Sequence, residues 1–332
     1  MSQDRSVSVI IPVHNGADFI GTALQSLERQ VEDRERMQVV VIDDGSTDGT
    51  GDIVREHADR LGELTVVRNE DARSVGSARI QGLEAANRDY IAFLDADDWM
   101  APGRLEHLMR RCEELDVDFL RTDHVRAFEN GQPRELHRAP DGRRDMPIRT
   151  RDAILPASSA SMVDYPFPWA GIFHRRLVDD GRLAYDEGLH SFEDRVAIWR
   201  LALTDSTFAV VDAPWIVYRR EVTTSLTQVF DDRQLAFIAG FGLVRDLVRA
   251  DDDRLLFEPK MIRQFLAIAA HHVSRQHGMH IATRRQLRSA ITDFARTLDV
   301  EPLRDQWEAI GMTRRAQLGS AILPALKEKA SA

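Results

Sequence analysis

The sequence predicts an α/β protein with a mostly parallel, doubly wound sheet, extended at its C-terminus by a helical module. Short β-rich segments alternate with amphipathic helical segments over the first two thirds of the chain, as in parallel sheets flanked by helices. From Gln228 onward only helical patterns remain. The charge changes at the same point, because residues 228–332 carry 16 Lys/Arg and 13 Asp/Glu, which gives +3 there and −13 in the rest. We therefore expect a first domain over 1–227 and a helical domain over 228–332.

The strands of the first domain are predicted from short runs of apolar and β-branched residues. Met37–Ile42 is apolar at nearly every position, as in a strand covered on both faces. The predicted strands are Val7–Val13, Met37–Ile42, Leu64–Arg68, Tyr90–Leu94, Val117–Thr122, Phe208–Val211 and Ile216–Arg219. Residues 124–150 are rich in Arg, Pro, Gly and Asp, and they are predicted as a loop or excursion.

The helices between these strands are predicted from apolar residues at helical spacing. In Ala17–Gln30, for example, four apolar residues share one face. The other predicted helices cover residues 53–61, Ser77–Ala86, Pro102–Leu115 and 191–204. Asp48 is expected to cap the first of these, and Pro102 to lie in the first turn of the third.

The C-terminal module is predicted to contain four or five helices. The clearest of them carries Leu287, Ile291, Phe294 and Leu298 at helical spacing. Such apolar faces need partners, so we expect a homo-oligomer with tail helices at the interface. The alternative is a monomer in which the tail supports the first domain. The positive charge of the module also suits contact with an anionic acceptor.

The composition excludes several classes of protein. The 332 residues are 43% hydrophobic and 30% charged, as in soluble globular proteins of about two domains. A net charge of −10 argues against a dedicated nucleic-acid binder, and no apolar run is long enough for a transmembrane helix. The single cysteine, Cys112, excludes a disulfide framework and a cysteine zinc site. The N-terminus lacks a signal-peptide pattern, so we expect a cytoplasmic location.

Acidic residues follow two of the predicted strands. Asp43 and Asp44 end the second strand, and the segment Asp95–Asp98 follows the fourth. Ligands of such sheets bind outside the carboxyl ends of the strands. An Asp-x-Asp at a strand end supplies the oxygen ligands that Mg²⁺ or Mn²⁺ prefers. No glycine-rich phosphate loop follows these strands, so a bound nucleotide diphosphate would need a divalent cation.

Three segments together resemble the family 2 glycosyltransferases with the GT-A fold. They are Ser8–Asn15, Val40–Thr50 and Tyr90–Asp98, each at the end of a predicted strand, and the resemblance covers residues 6–225. It implies that residues 1–227 form a GT-A domain, Rossmann-like with a mixed, mostly parallel sheet. It also implies transfer of a sugar from a nucleotide diphosphate, with a UDP-sugar as the expected donor and a hydroxyl of a glycan or polymer as the acceptor.

The resemblance implies a role for each matching position. Asp44 would accept the imide proton of uracil, Arg79 would lie near the base or diphosphate, and Asp97 would ligate Mn²⁺ or Mg²⁺. The nucleotide-binding set that it implies is Pro12, Val13, His14, Asn15, Asp44, Arg79, Asp95, Ala96, Arg219 and Ser225. In this set, Arg219 and Ser225 belong to a segment that can reach the diphosphate.

The catalytic residues implied by the resemblance are Glu193 and Asp194. Family members carry an acidic pair about a hundred residues after the Asp-x-Asp, and this pair opens a predicted helix. Asp194 would deprotonate the acceptor hydroxyl, and Glu193 would orient Asp194 or contact the donor sugar. An acidic pair of this kind favours inversion at the anomeric carbon.

Other functions remain open at this point. A retaining GT-A enzyme and a non-catalytic nucleotide-sugar-binding protein would share the same motifs. A haloacid-dehalogenase phosphatase would carry its Asp-x-Asp earlier in the chain, and a sugar nucleotidyltransferase would have a glycine-rich loop after its first strand. The loose similarity to enzymes that decorate bacterial surface polymers implies work at the inner face of the membrane, with peripheral contact.

Two further groups of residues have both a structural and a functional interpretation. Trp169 is expected either in the core or stacked on a sugar face. The four tail histidines, His271, His272, His277 and His280, are expected on helix surfaces, and a metal site is the alternative.

Overall fold

The computed structural model describes residues 5–128, 130, 132–220 and 235–330. Its strands are β1 (Val7–Val13), β2 (Met37–Asp44), β3 (Glu63–Asn69), β4 (Tyr90–Phe93), β5 (Trp99–Met100), β6 (Phe119–Arg121), β7 (His124–Phe128), β8 (Glu135–His137), β9 (Ile148–Arg149), β10 (Gly171–His174), β11 (Thr207–Val210) and β12 (Ile216–Arg220). Its helices are α1 (Ala17–Leu27), α2 (Thr50–Glu56), α3 (Val75–Ala85), α4 (Arg104–Glu114), α5 (Arg176–Asp179), α6 (Glu193–Ala202), α7 (Ala236–Arg249), α8 (Arg254–Arg275), α9 (Ile281–Thr297), α10 (Val300–Ala309) and α11 (Met312–Ala330).

The main sheet has the strand order β3-β2-β1-β4-β10-β6-β11-β9. Its first four strands are parallel, while β10 runs antiparallel to both of its neighbours. Every residue of β2 and β4 is buried, as expected for strands covered by helices on both faces. The carboxyl ends of β1, β2 and β4 therefore meet at one edge. The predicted α/β fold with a mostly parallel sheet is confirmed.

A second, smaller sheet has the order β5-β12-β7-β8. The prediction of a loop for residues 124–150 is wrong, because β7 and β8 of this sheet and β9 of the main sheet lie in that segment. The strands there are short and carry several charged residues, so their local pattern is weak. Pairing with distant segments defines them instead, because β7 runs parallel to β12 and β9 pairs with β11.

The predicted strands and helices agree with the structure apart from their bounds. One detail differs at α4, which begins at Arg104 after Gly103 in a left-handed conformation with φ 71°. Pro102 therefore precedes the helix and is not part of its first turn. Between residues 235 and 330 the tail consists of α7, α8, α9, α10 and α11. No helix among the described residues combines the length and apolar content that a bilayer crossing requires.

The tail helices share their hydrophobic core with the first domain. This core contains Trp199 and Val196 of α6 together with Phe241, Phe265 and other residues of the tail. The indole Nε1 of Trp199 also donates a hydrogen bond of 2.8 Å to Oε1 of Gln264. The tail thus packs directly on α6. The predicted domain boundary at 227/228 lies outside the described residues and stays a prediction, as does the homo-oligomer.

Candidate active site

The loops that follow β1 and β2 are joined by side-chain hydrogen bonds. His14 Nδ1 lies 2.7 Å from the carbonyl oxygen of Asp44, and Asn15 Oδ1 accepts a 2.8 Å bond from the Thr47 amide. Because a carbonyl oxygen only accepts, Nδ1 of His14 carries the proton. His14 and Asn15 are exposed at this edge, Pro12 is half-buried, and Val13 is buried against the sheet. Of these four predicted residues, Val13 has the least surface to offer a ligand.

The acidic residues at the end of β2 are held by protein donors. Asp44 accepts a 2.7 Å bond from Asn69 Nδ2 and a 2.9 Å bond from the Arg73 amide, one at each carboxylate oxygen. Asp43 accepts from the Ser46 amide and pairs with Arg68. Each oxygen of a carboxylate accepts up to two bonds, so Asp44 keeps capacity for a further donor.

The prediction that Asp48 caps α2 is wrong, because Gly49, with φ 91°, is the N-cap residue of that helix. Asp48 instead links α1 to α2. It accepts a 3.1 Å bond from the Thr50 amide and a 3.0 Å bond from the Ala17 amide at the start of α1. The two loops at this edge therefore form one hydrogen-bonded unit, whose exposed surface carries His14 and Asn15.

The centre of the site is the buried guanidinium of Arg79 on α3. Its Nη1 lies 2.6 Å from Oε1 of Glu193 and also contacts the Asp194 carboxylate. Its Nη2 lies 3.2 Å from Oδ1 of Asp95. The Arg79 side chain is 2% exposed, while Asp194 and Asp95 remain 22% and 31% exposed. Arg79 thus joins three acidic residues, each predicted for the site, from α6 and the end of β4.

The carboxylates outnumber the guanidinium, and burial raises the pKa of two of them, Glu193 and Asp194. Burial raises the pKa of Asp194 well above its usual range, and Glu193 and Asp95 add to the effect, while Arg79 opposes it. Burial likewise raises the pKa of Glu193, against the effect of Arg79. A carboxylate with a raised pKa is a better proton acceptor at neutral pH than a solvated one.

The acidic pair Glu193 and Asp194 begins α6 directly after a residue with an unusual backbone. Phe192 has φ 75°, in the left-handed region that side chains other than glycine seldom adopt. Its ring packs on α7, where a Cβ built on Gly240 would lie 2.3 Å from the ring carbon Cδ1. Strained residues of this kind persist when their surroundings fix them. The tail helix α7 therefore helps to fix the start of α6.

The segment after β4 forms a tight acidic turn, in which the Asp98 amide donates to the carbonyl of Asp95. Asp98 is fully buried, and its Oδ1 accepts a 2.8 Å bond from the amide of Arg219. Burial together with Asp95 raises the pKa of Asp97 to about 6. Ala96 is half-buried between these residues.

Arg219 reaches this turn from β12 of the small sheet. Its Nε donates a 3.0 Å bond to the carbonyl of Asp97, and its guanidinium lies 5.1 Å from the ring centroids of both Phe19 and Trp99. Contacts of this kind hold an arginine by cation–π attraction. Ser225, the other residue predicted from this segment, lies outside the described residues.

The described residues contain no cluster of three or more His, Cys, Asp or Glu side chains arranged to hold a metal ion. The acidic turn nevertheless fits a cation in its chemistry. Oδ2 of Asp98 is buried without a hydrogen-bond partner, and Asp97 faces the charge of Asp95 in a partly buried position. Hard carboxylate oxygens are the donors that Mg²⁺ and Mn²⁺ prefer.

Two buried groups beside the acidic cluster are not predicted by any sequence motif. The Tyr185 ring lies 5.5 Å from the Arg79 guanidinium, and its buried hydroxyl has no hydrogen-bond partner. Arg121 is 1% exposed and donates to the carbonyl of Tyr165, and it interacts electrostatically with Asp194. Tyr185 lies in no recognised motif, and the β-rich context of Arg121 gives no sign that it faces the site. Only the folded arrangement identifies them.

The structure also decides between the two interpretations of Trp169. The residue is 2% exposed, and its ring packs against those of His124, Phe167 and Tyr218. It therefore belongs to an aromatic cluster behind the site and is not free to stack on a sugar.

Comparisons with known proteins agree with the motifs. Residues 8–172 match the family model described as Glycosyl transferase family 2. The chain is 26% identical over 216 residues to the putative glycosyltransferase EpsH of Bacillus subtilis, a match that covers 64% of this chain and 60% of EpsH. The chain thus spans less than two thirds of the length of this relative.

Two solved structures share the fold. The structure of residues 1–349 of S. aureus TarS in complex with UDP-GlcNAc is 20% identical, covers 98% of this chain and 92% of that one, and has a TM-score of 0.74. The mannosyltransferase PcManGT of Pyrobaculum calidifontis, in complex with GDP-Man and Mn²⁺, is 18% identical, covers 99% and 87%, and has a TM-score of 0.51. The family match over residues 8–172 means that the chain belongs to glycosyl transferase family 2, and the likeness to the TarS structure shows the GT-A fold.

Proposed function

We propose that this protein is a metal-dependent, inverting glycosyltransferase that moves a sugar from a UDP-sugar to a hydroxyl of a glycan or polymer. The observation that carries the proposal is the cluster in which Arg79 holds Glu193 and Asp194 against Asp95, at the edge where the strands end. That arrangement sets a carboxylate with a raised pKa beside the acidic turn of Asp97. A proton acceptor and a cation site are the two elements that this chemistry requires.

The joined loops after β1 and β2 are the proposed base and ribose site. Pro12, His14 and Asn15 line it, Val13 shapes it from behind, and Asp44 accepts a hydrogen bond from the uracil imide N–H. The UDP and UDP-GlcNAc complexes of the TarS fold neighbour support a uridine nucleotide here. Asp95 and Ala96 form the adjoining wall. Residues 1–227 form the donor-binding and catalytic domain in this proposal.

Asp97 is the proposed ligand of Mn²⁺ or Mg²⁺, and the Mn²⁺ complex of PcManGT supports a divalent cation in this fold. When bound, the cation neutralises charge on the diphosphate and on the departing UDP. Arg219 adds a positive charge beside the same turn, and Ser225 completes the proposed diphosphate contacts.

Asp194 is the proposed general base. The acceptor oxygen bonds to the anomeric carbon as the bond from that carbon to the diphosphate oxygen breaks, and the hydroxyl proton passes to Asp194. UDP leaves with the electron pair on the opposite face, so the anomeric configuration inverts. Arg79 sets the direction of the Asp194 carboxylate and is not free for the nucleotide. This differs from the nucleotide contact expected for Arg79, and we assign it a positioning role. Glu193 shares that guanidinium and orients the pair.

Two measurements on the full chain test this function. Calorimetric titration with UDP, with and without Mn²⁺, is expected to give binding that the metal strengthens. A screen of UDP-sugars, with GDP-mannose as the matched control donor, is expected to release UDP from at least one UDP-sugar. NMR of the product then gives the anomeric configuration. Binding of UDP that does not depend on metal, without turnover, would favour a non-catalytic binding protein. A product that retains the anomeric configuration of the donor would exclude Asp194 as a simple general base.

A further inference from the structure

Two helices of the tail, α9 and α11, run parallel and side by side. Nη1 of Arg288 bonds to Oγ of Ser320, and Nη2 of Arg296 lies 2.7 Å from Oε1 of Glu328. Both pairs are 32 residues apart in the chain, so the helices keep one register along their length. Ile281 begins α9 seven residues before Arg288, and Met312 begins α11 eight residues before Ser320. At about 1.5 Å per residue, both helices therefore begin at nearly the same level.

This end of the helix pair is basic. Residues 279–292 and 309–326 contain five arginines and no Asp or Glu, and the exposed Glu308 near the end of α10 directly precedes the second range. The arginines are Arg284, Arg285, Arg288, Arg314 and Arg315. Three of them, Arg284, Arg288 and Arg315, donate hydrogen bonds to neutral carbonyl, amide and hydroxyl oxygens, which do not cancel their charge. Arg285 and Arg314 are exposed to solvent.

The same end also exposes large apolar side chains. Ile281 is 60% exposed and Met312 is 87% exposed, although each begins a helix whose later residues pack in the core. Side chains in the first turn lean toward the N-terminus of their helix, so both extend beyond the end of the pair. We call the set Ile281, Arg284, Arg285, Arg288, Met312, Arg314 and Arg315 the basic tip.

The start of α8 offers a contrast within the same module. Leu255 and Leu256 are 72% and 52% exposed, so apolar exposure there is similar. They follow Asp251, Asp252, Asp253 and Arg254, a segment of net charge −2 that an anionic surface would repel. Apolar exposure and positive charge coincide at the basic tip and not at this second site.

We infer that the basic tip docks the protein on an anionic lipid surface. Arginines attract acidic headgroups, and exposed apolar side chains insert at the boundary between headgroups and acyl chains. A soluble polyanion would satisfy the arginines but would leave Ile281 and Met312 in water. A second copy of the chain would set five arginines against like charge if the same surfaces met. A lipid surface accommodates both features together.

Vesicle flotation of the full chain tests this inference. We expect flotation with vesicles of phosphatidylcholine and phosphatidylglycerol, and none with phosphatidylcholine alone. The double variant Ile281→Ser with Met312→Ser removes the apolar part, and Arg285→Glu with Arg314→Glu reverses two charges. Each is expected to weaken partitioning about tenfold or more. Leu255→Ser with Leu256→Ser is the matched control and is expected to float like the unmodified protein.

Three results would overturn the inference. The first is no flotation with anionic vesicles. The second is flotation that survives Ile281→Ser with Met312→Ser and is competed by soluble polyphosphate, since this indicates a polyanion site. The third is a dimer that the serine variant dissociates in light scattering while vesicle binding is unchanged. UDP affinity and the thermal midpoint, measured for every variant, establish that a loss of flotation comes from the tip and not from unfolding.

Discussion

Gly240 on α7 lies against the ring of Phe192, so closely that a Cβ at position 240 would be 2.3 Å from Cδ1 of that ring. Phe192 holds a left-handed backbone, and Glu193 and Asp194 follow it at once. The C-terminal module therefore contacts the residue that directly precedes Glu193 and the proposed base. In the proposed mechanism, this contact helps to hold the start of α6 in place.

The first prediction concerns this contact. Gly240→Ala forces the Phe192 ring to move, because the added carbon has no room. We expect kcat to fall by about tenfold or more, since small displacements of a catalytic group are costly, while UDP affinity changes little. Gly242→Ala is the matched control on the same helix, because a Cβ there meets nothing within 4 Å. Equal losses in both variants would mean that the Phe192 contact has no catalytic role.

The second prediction concerns the two acids. Asp194→Asn keeps the shape of the side chain but cannot take a proton, so transfer should fall by about 10²–10⁴-fold. UDP affinity, measured by calorimetry, should be retained. Glu193→Gln should reduce the rate of transfer less, because Glu193 only orients Asp194. If Glu193→Gln is inactive and Asp194→Asn is active, Glu193 is the base and Asp194 is the orienting residue.

The third prediction concerns Arg79 and stability. Arg79→Met leaves buried carboxylates without their counter-charge, which should lower the free energy of unfolding by about 3 kcal/mol in urea titrations at neutral pH. The uncompensated carboxylates would have pKa values above those of the unfolded chain, so protonation relieves the repulsion and the deficit should shrink as the pH falls toward 4. Arg79→Lys keeps the charge and should recover part of the loss. If the loss of unfolding free energy in Arg79→Met does not depend on pH, it comes from lost packing and not from uncompensated charge.

The fourth prediction concerns the cation. Asp97→Ala should abolish turnover and remove the increase in UDP affinity that Mn²⁺ produces, because the diphosphate then meets the remaining carboxylates without a bridging charge. Calorimetric titration with UDP, with and without a chelator, measures the affinity. Release of UDP from a UDP-sugar measures turnover. Asp52→Ala, at a site where the carboxylate is 74% exposed, is the control. Full turnover in the presence of chelator would exclude a metal role for Asp97.

The fifth prediction concerns acid stability. Burial, with positive neighbours, lowers the pKa of His124 from 6.5 to about 2. Below pH 6.5 His124 binds a proton in the unfolded chain but stays neutral in the folded chain, so the free energy of unfolding falls as the pH falls. The loss should be about 2 kcal/mol between pH 7 and pH 5. His124→Asn should reduce the pH dependence of the unfolding free energy by that amount, and a pH dependence equal to that of the unmodified protein would contradict this assignment.

The sequence by itself determined the fold class and the composition of the site. Apolar runs such as Met37–Ile42 and the helical spacing in α1 are local patterns, and their alternation requires a mostly parallel sheet. Because parallel strands end at one edge, the motifs at Asn15, Asp44 and Asp97 were bound to lie near one another. The family resemblance added the expected roles of Glu193 and Asp194.

Only the tertiary structure decided how these residues are held. The pairing of Arg79 with Glu193 joins positions 114 residues apart, and no local pattern specifies it. The small sheet that brings Arg219 to Asp98 pairs β12 with β7, and β7 lies in a segment whose sequence predicts a loop. The left-handed backbone at Phe192 depends on space left by Gly240 on another helix. Local sequence fixes backbone preference and periodicity, whereas contacts between distant segments fix the direction and pKa of the two proposed catalytic side chains, Glu193 and Asp194.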